Sequence, residues 1–212
     1  MTLGIVGKGR LGTALSASLR EAGHEVEGPV GRGEVPGADV VLLCVPDAEI
    51  TTAAEAVAGR ARLVGHTSGA TPLAALRPAA RAGAHVFGFH PLQTFAGTEA
   101  PALRGIGCAI AGSTPDALET ARTLAESLGM VPFVLLDHKR AAYHAAASVA
   151  SNFLVTLQAM AEEVARDATE QELREEWALE RVQAGDSVRG TFPMAPERRE
   201  EFEAWRAARA GR

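Results

Sequence analysis

Glycines 7, 9 and 12 stand where a short apolar run, Thr2 to Val6, gives way to an Ala-rich helical pattern from Arg10 to Ala22. In a strand–turn–helix setting the three have separate tasks. The first makes the tight turn, the second lets backbone approach a pyrophosphate, and the third lets helix pack closely on strand. The helix start adds free N–H groups and a partial positive charge. A glycine-rich turn without a ligand is the plainer reading, but the placement directly after a strand favours a dinucleotide. Gly7, Lys8, Gly9, Arg10, Leu11 and Gly12 are its expected contacts, with Val45 and Pro46 from the end of a later apolar run. NAD sites usually carry an acid at the end of the second strand for the ribose 2′-hydroxyl. Here that strand ends in Val30-Gly31-Arg32-Gly33, and Glu27 falls inside it. Arg32 predicts NADP as the preferred cofactor, with NAD possible.

A second group of polar residues lies near the middle of the chain. At about 100° per residue, His144, Ser148, Ser151 and Asn152 share one face of a helix rich in Ala and Val. Such a face needs partners, which a ligand cleft supplies, although a small-residue helix seam with satisfied hydroxyls is the bland alternative. Lys139 lies about 140° from that face, but in the first turn, where a long side chain can swing back. Lys8 and Lys139 are the only lysines beside 19 arginines. His90, between a strand and Pro91, and Ser68, in the loop His66-Thr67-Ser68-Gly69-Ala70, are further candidates for binding substrate. His24, His66, His85 and His138 read as structural or exposed. No HxH, HExxH or CxxC spacing occurs, so no metal site is expected. Ser68 also lacks the spacing of a hydrolase elbow.

These residues need an alternating scaffold. Strands are expected at Thr2–Val6, His24–Val30, Val40–Val45, Leu63–Gly65, His85–Phe89, Gly107–Ala111 and Val131–Leu136. Helices are expected at Arg10–Ala22, from Pro46 to about Val57, at Pro72–Ala82 and at Pro115–Leu128. That alternation predicts an α/β fold with a doubly wound parallel sheet and ligands at the carboxyl ends of its strands. Asp137 is read as the cap of a helix of about thirty residues ending near Arg166. Thr169-x-x-Glu172 then reads as a capping box opening another helix to about Gln183. A link, Ala184 to Pro196, precedes a last charged helix ending near Arg209.

Composition sets the bounds. With 212 residues, 47% hydrophobic and 22% charged, the chain is expected to form one globular core and an extension. A net charge of −5 argues against nucleic acid as the main partner. Cys44 and Cys108 suit reduced thiols in the cytoplasm, and neither a membrane span nor a signal peptide is read. Both tryptophans lie beyond residue 160. The expected organisation is a Rossmann-like dinucleotide-binding domain at 1–136 and a helical substrate and dimerisation region at 137–212.

GIVGKGRLGTAL, DVVLLCVPD, HTSGA, FHPLQTF and KRAAYHAAASVASNFLV, in this order, resemble a family of Rossmann-like oxidoreductases with a C-terminal domain of unknown function, DUF2520. The resemblance spans about residues 3 to 166, with HPLQTF and YHAAAxxASNF its most specific parts. The family is similar to 6-phosphogluconate-dehydrogenase-like enzymes, among them ketopantoate reductase, pyrroline-5-carboxylate reductase and β-hydroxyacid dehydrogenases. The resemblance implies a nicotinamide cofactor on Gly7, Gly9, Arg10 and Gly12, and a small-molecule substrate between Ser68, His90 and the Lys139–Asn152 helix. From the β-hydroxyacid relatives it carries a catalytic lysine onto Lys139 and an asparagine onto Asn152, at a spacing that differs from theirs. Family members continue into a larger helical bundle, so the C-terminal region reads as truncated. The stretch EEWALERVQAGDSVRGTFPMAPERREEFEAW resembles instead the C-terminal arm of the ribonuclease-activity-regulator/hydroxy-methyl-oxoglutarate aldolase family, without that family's active-site motif.

Together these readings point to an NADP-dependent reductase of a small keto acid or imine, with Lys139 or His144 giving the proton and Asn152 and Ser68 orienting the substrate. A non-catalytic dinucleotide-binding regulator and a deazaflavin-dependent reductase are the alternatives. Apolar residues on several sides of the long helix, including Phe153, Leu154, Leu157 and Met160, predict a homodimer.

Overall fold

The computed structural model describes residues 2–95, 102–184 and 196–210. It divides into two compact units, Met1–Ser151 and Asn152–Arg212. The first holds a seven-stranded sheet made of β1 (Thr2–Val6), β2 (Glu25–Val30), β3 (Val40–Leu43), β4 (Leu63–His66), β5 (His85–Pro91), β6 (Gly107–Gly112) and β7 (Val131–Val134), in the order β2-β1-β3-β4-β5-β6-β7. Its helices are α1 (Arg10–Glu21), α2 (Ile50–Ala56), α3 (Arg77–Arg81), α4 (Pro115–Ser127) and α5 (Arg140–Ser148).

Side chains alternate across each strand, so VVLL in β3 feeds two cores. Val40 and Leu42 join Leu15, Leu19 and Leu124 from α1 and α4, whereas Val41 and Leu43 join Ile50, Ala54 and Ala79 from α2 and α3. Helices therefore cover both faces, as the continuous apolar runs require. The expected α/β, doubly wound Rossmann-like fold is present, with one departure: β5 and β6 pair antiparallel while every other pair is parallel. A parallel return needs a long, usually helical crossover. Residues 92–106 contain no helix among those described, so β6 runs back beside β5.

Three local expectations are corrected. Asp137 does not cap a helix. Leu136 precedes a 3₁₀ turn, Asp137–Lys139, while the Asp137 carboxylate accepts from the Leu73 N–H (3.0 Å) and pairs with Arg140. A π turn, Val149–Phe153, follows α5; its wider winding breaks the 100° step that placed Ser151 and Asn152 on the His144 face. The helix expected to end near Arg166 and restart at Thr169 is one helix, α6 (Leu154–Gln183). Without Gly or Pro, and rich in Ala, Glu, Leu and Arg, that stretch has nothing to stop it. The first unit runs to Ser151, with Arg140 bonded to the Ser68 carbonyl just after β4 and Tyr143 to His90 in β5.

The second unit contains α6 and α7 (Pro196–Ala210). Trp177 and Phe202 are almost fully buried against each other, 5.6 Å between ring centroids, and Phe202 stacks on Trp205. Glu180 accepts from the Trp205 indole N–H at 2.7 Å and pairs with Arg209, which also meets Glu176. A charged helix can bury a substantial aromatic stripe when its ionic groups sit at the rim. The link expected at Ala184 to Pro196 lies, over 185–195, outside the described residues. No described helix is long and apolar enough to cross a membrane.

Candidate functional site

The strand order reverses at β1, with β2 on one side and β3 on the other, and ligands of such sheets bind beyond the carboxyl ends at this point. Gly7 has φ +115° and donates to the Val30 carbonyl at 2.9 Å. A Cβ on Gly7 would overlap the Cys44 carbonyl oxygen, and one on Gly12 would overlap that of Gly7. At Gly9, by contrast, a Cβ would meet nothing within 4 Å. The turn is closed where it packs and open where a phosphate would approach. Gly9 also precedes α1 without a side-chain cap, and Thr13 is the first residue to donate to it, at 3.0 Å. The amides of Arg10, Leu11 and Gly12 precede that ladder, while the Leu11 side chain packs on the core.

A cleft of about 450 Å³ adjoins the turn, lined among others by Gly7, Lys8, Gly9, Arg32, Val45 and Pro46. Each of its two cations faces a carboxylate: Lys8 with Glu34 at 3.3 Å and Arg32 with Glu49 at 3.0 Å. Glu34 also accepts from the Gly31 N–H at 2.7 Å. That backbone bond, and then Lys8, hold its carboxyl below the usual range. Glu34 was missed in the sequence because it lies beyond the strand end, yet it pairs with Lys8 there.

A second polar cluster gathers at the same sheet edge. His90 lies within β5, opposite Ala109, and not beyond the strand end as expected. Its Nδ1 is 2.8 Å from the Tyr143 hydroxyl, with the rings 89° apart. Burial, then His144 and Arg140, push His90 down to about 4 against a weaker opposing pull from Asp47; burial pushes Tyr143 up to about 12. The Arg140 side chain, 3% exposed, bonds Asp137 Oδ1 at 2.7 Å and the Ser68 carbonyl at 3.3 Å. Ser68 is committed inside its own turn. Its hydroxyl is 2.8 Å from Asp47 Oδ2 and accepts from the Thr71 N–H at 2.9 Å. Lys139, in the turn before α5, and His144, in the middle of that helix, are exposed. Asn152 belongs to the π turn and the second unit, and its side chain lies outside the described ones. Tyr143, Arg140 and Asp47 were not singled out in the sequence, although YHAAA held Tyr143 in plain view. Among the described residues no three His, Cys, Asp or Glu could hold a metal ion.

His66 is fully buried, with Nδ1 accepting from the Ser68 N–H at 3.2 Å and Nε2 without a partner among the described residues. Burial foremost, then Arg140, lower its pKa from 6.5 to about 4. The unfolded chain therefore takes up this proton first as pH falls, so the stability that neutral His66 contributes is whole above about pH 7 and is lost from 6.5 towards 4. Between pH 7 and pH 5 we expect a loss of about 2 kcal/mol from His66. Urea unfolding at the two pH values checks this, and His66→Gln should remove that part of the loss.

Residues 106–184 match the model of a domain of unknown function, DUF2520, in agreement with the resemblance seen in the sequence. No curated protein matches the chain. Among solved structures, a candidate NADP oxidoreductase of Bacteroides fragilis is similar at TM-score 0.66 and 20% identity, over 79% of this chain and 73% of that one. An imine reductase of Streptomyces aurantiacus is similar at 0.52 and 17%, over 100% and 95%. A Plasmodium falciparum pyrroline carboxylate reductase with NADP bound is similar at 0.56 and 12%, over 88% and 80%. At these identities the likeness is one of fold.

Proposed function

We propose that this chain is an NADP-dependent reductase of a small 2-keto acid, ketopantoate-like in kind, or of an imine. The observation that carries the reading is the glycine turn, sterically closed at Gly7 and Gly12 and open at Gly9, at the reversal point of the sheet. A dinucleotide fits it. The Gly7–Gly9 backbone and the first amides of α1 would take the pyrophosphate, and Val45 and Pro46 would wall the cleft. Lys8 and Arg32 would take the 2′-phosphate in exchange for Glu34 and Glu49. A bound reduced nicotinamide supplies hydride. His90 would meet the substrate, with Ser68 shaping the neighbouring turn. Lys139, His144 and Asn152 remain as polar groups for orientation or proton supply. The structural relatives named above, an imine reductase and a pyrroline carboxylate reductase among them, support the imine arm of the reading.

The test is oxidation of NADPH, NADH or a reduced deazaflavin in the presence of a panel of small 2-keto acids and cyclic imines. Turnover with NADPH supports the proposal. Binding without turnover of any substrate favours a regulatory dinucleotide binder, and turnover only with deazaflavin favours the other rival. Within this reading Arg32→Ala should weaken NADPH by about tenfold, or 1.4 kcal/mol, and leave NADH nearly unchanged. Tighter binding of NADH than NADPH by the unaltered protein would sink the preference.

The homodimer is part of the same proposal. Phe153, Leu157, Met160 and Val164 are each more than half exposed and follow helical spacing along one stripe. A second copy offers the same stripe, and a two-fold pairing buries both at once. Sedimentation equilibrium at micromolar concentration should give twice the monomer mass, and Leu157→Asp with Met160→Asp should give a folded monomer. A monomeric unaltered protein would refute the pairing.

A further inference from the structure

We infer that Tyr143 is a relay partner of His90: it donates its phenolic proton to Nδ1, holds the imidazole as the Nε2–H tautomer, and supplies through it the proton that the reduced substrate takes up. The last step rests on the reductase reading; the pairing itself rests on geometry. The two atoms are 2.8 Å apart and the rings meet edge to face. Phe133 packs on the tyrosine at 5.9 Å.

Both partners are neutral near pH 7, His90 with its value near 4 and Tyr143 near 12. The imidazole nitrogen is the better acceptor, and a phenol near 12 is far too weak an acid to protonate an imidazole near 4, so the shared proton stays on oxygen and points to nitrogen. The imidazole proton is then on Nε2. Gly69 lies against the imidazole: a Cβ there would come within 2.9 Å of Cε1 and Nε2 and 3.1 Å of Nδ1, so the glycine keeps a methyl off the ring.

The proton balance closes. With hydride supplied to the carbonyl carbon from a bound reduced nicotinamide, the π pair would go to oxygen, and His90 Nε2 would give that oxygen its proton. Nδ1 takes the phenolic proton of Tyr143, leaving His90 neutral in the other tautomer and Tyr143 as phenolate. Buried Arg140 favours that phenolate electrostatically, and Tyr143 is only partly buried, so water can restore its proton. An imine substrate takes the same proton on nitrogen. Tyr143 acts through His90 and is a positioning residue, whereas Nε2 would meet the substrate.

Two measurements test the relay. In protein labelled with ¹⁵N-histidine, the His90 ring resonances of the unaltered chain should report the Nε2–H tautomer, and Tyr143→Phe should shift them towards a mixture. The Nδ1–H tautomer in the unaltered protein would overturn the relay, whether or not a substrate has been found. With a substrate in hand, Tyr143→Phe should keep NADPH affinity and KM within about threefold while kcat falls about 10²-fold or more, the usual worth of a proton-transfer group. A kcat within threefold of the unaltered enzyme, or a loss on Lys139→Ala or His144→Ala that Tyr143→Phe does not share, would also overturn it. Failure of the unaltered protein to bind NADPH would overturn the reductase reading instead, with the tautomer still deciding the pairing.

Discussion

Gly12→Val is expected to abolish NADPH binding and to lower Tm by roughly 6–12 °C, the equivalent of about 3 kcal/mol for a unit of this size. The added side chain would meet the Gly7 carbonyl oxygen and, at 3.2 Å, Cys44 Cβ. A backbone oxygen cannot turn away as a flexible side chain can, so α1 must move off β1, and the cost sits at the upper end for overpacking. Gly9→Ala is the control that separates fold from function. Gly9 has φ −74°, an ordinary value for alanine, and open space at its Cβ position. Stability should change by less than about 0.5 kcal/mol, while NADPH binding weakens at least about tenfold because the methyl occupies the approach to the phosphates. Thermal melts and fluorescence titration of both variants check the pair. If Gly9→Ala binds NADPH as tightly as the unaltered protein, the turn does not hold the pyrophosphate.

Arg140→Met is expected to cost about 3 kcal/mol, the low end for breaking a buried ion pair, measured by denaturant unfolding. The guanidinium is buried at 3% exposure and serves Asp137 through Nε and the Ser68 carbonyl through Nη1, while Asp137 keeps 41% exposure and partial solvation. That asymmetry spares the carboxylate the full penalty and leaves the Ser68 carbonyl as the costly orphan. Arg140→Lys should rescue less than half of the loss, since a single ammonium cannot reach two acceptors set apart by the planar fork. Gly88 lies against the same group from β5: a Cβ there would lie 2.5 Å from Arg140 Nη2, so Gly88→Ala should displace the guanidinium and cost less than Arg140→Met. The effect should reach the neighbouring His90–Tyr143 pair, because Arg140 lies three residues before Tyr143 on the same helix. Full stability in Arg140→Met would show that the arginine is incidental.

What could be read from the sequence alone was whatever a few neighbouring residues determine. The Gly7–Gly9–Gly12 turn is a local steric fact, legible because each glycine answers a contact within one strand–turn–helix segment. The apolar runs VVLLCV and HVFGF specified strands covered on both faces, and their alternation with helices specified the doubly wound layers. The second cluster was half legible. His90, Lys139 and His144 stood out as chemistry-bearing types, but Tyr143 read as an ordinary aromatic and Arg140 as one arginine among many. Their meaning comes from partners 53 and 72 residues away in the chain, and no periodicity within a helix reports which strand end it will face. The same holds for β6, whose apolar pattern is indifferent to direction; only its pairing beside β5 shows it to be antiparallel. The π turn and the uninterrupted α6 failed the helical arithmetic for a related reason: a helix follows its strongest continuous propensity and the packing around it, and Thr169-x-x-Glu172 acts as a cap only where the chain has a cause to stop.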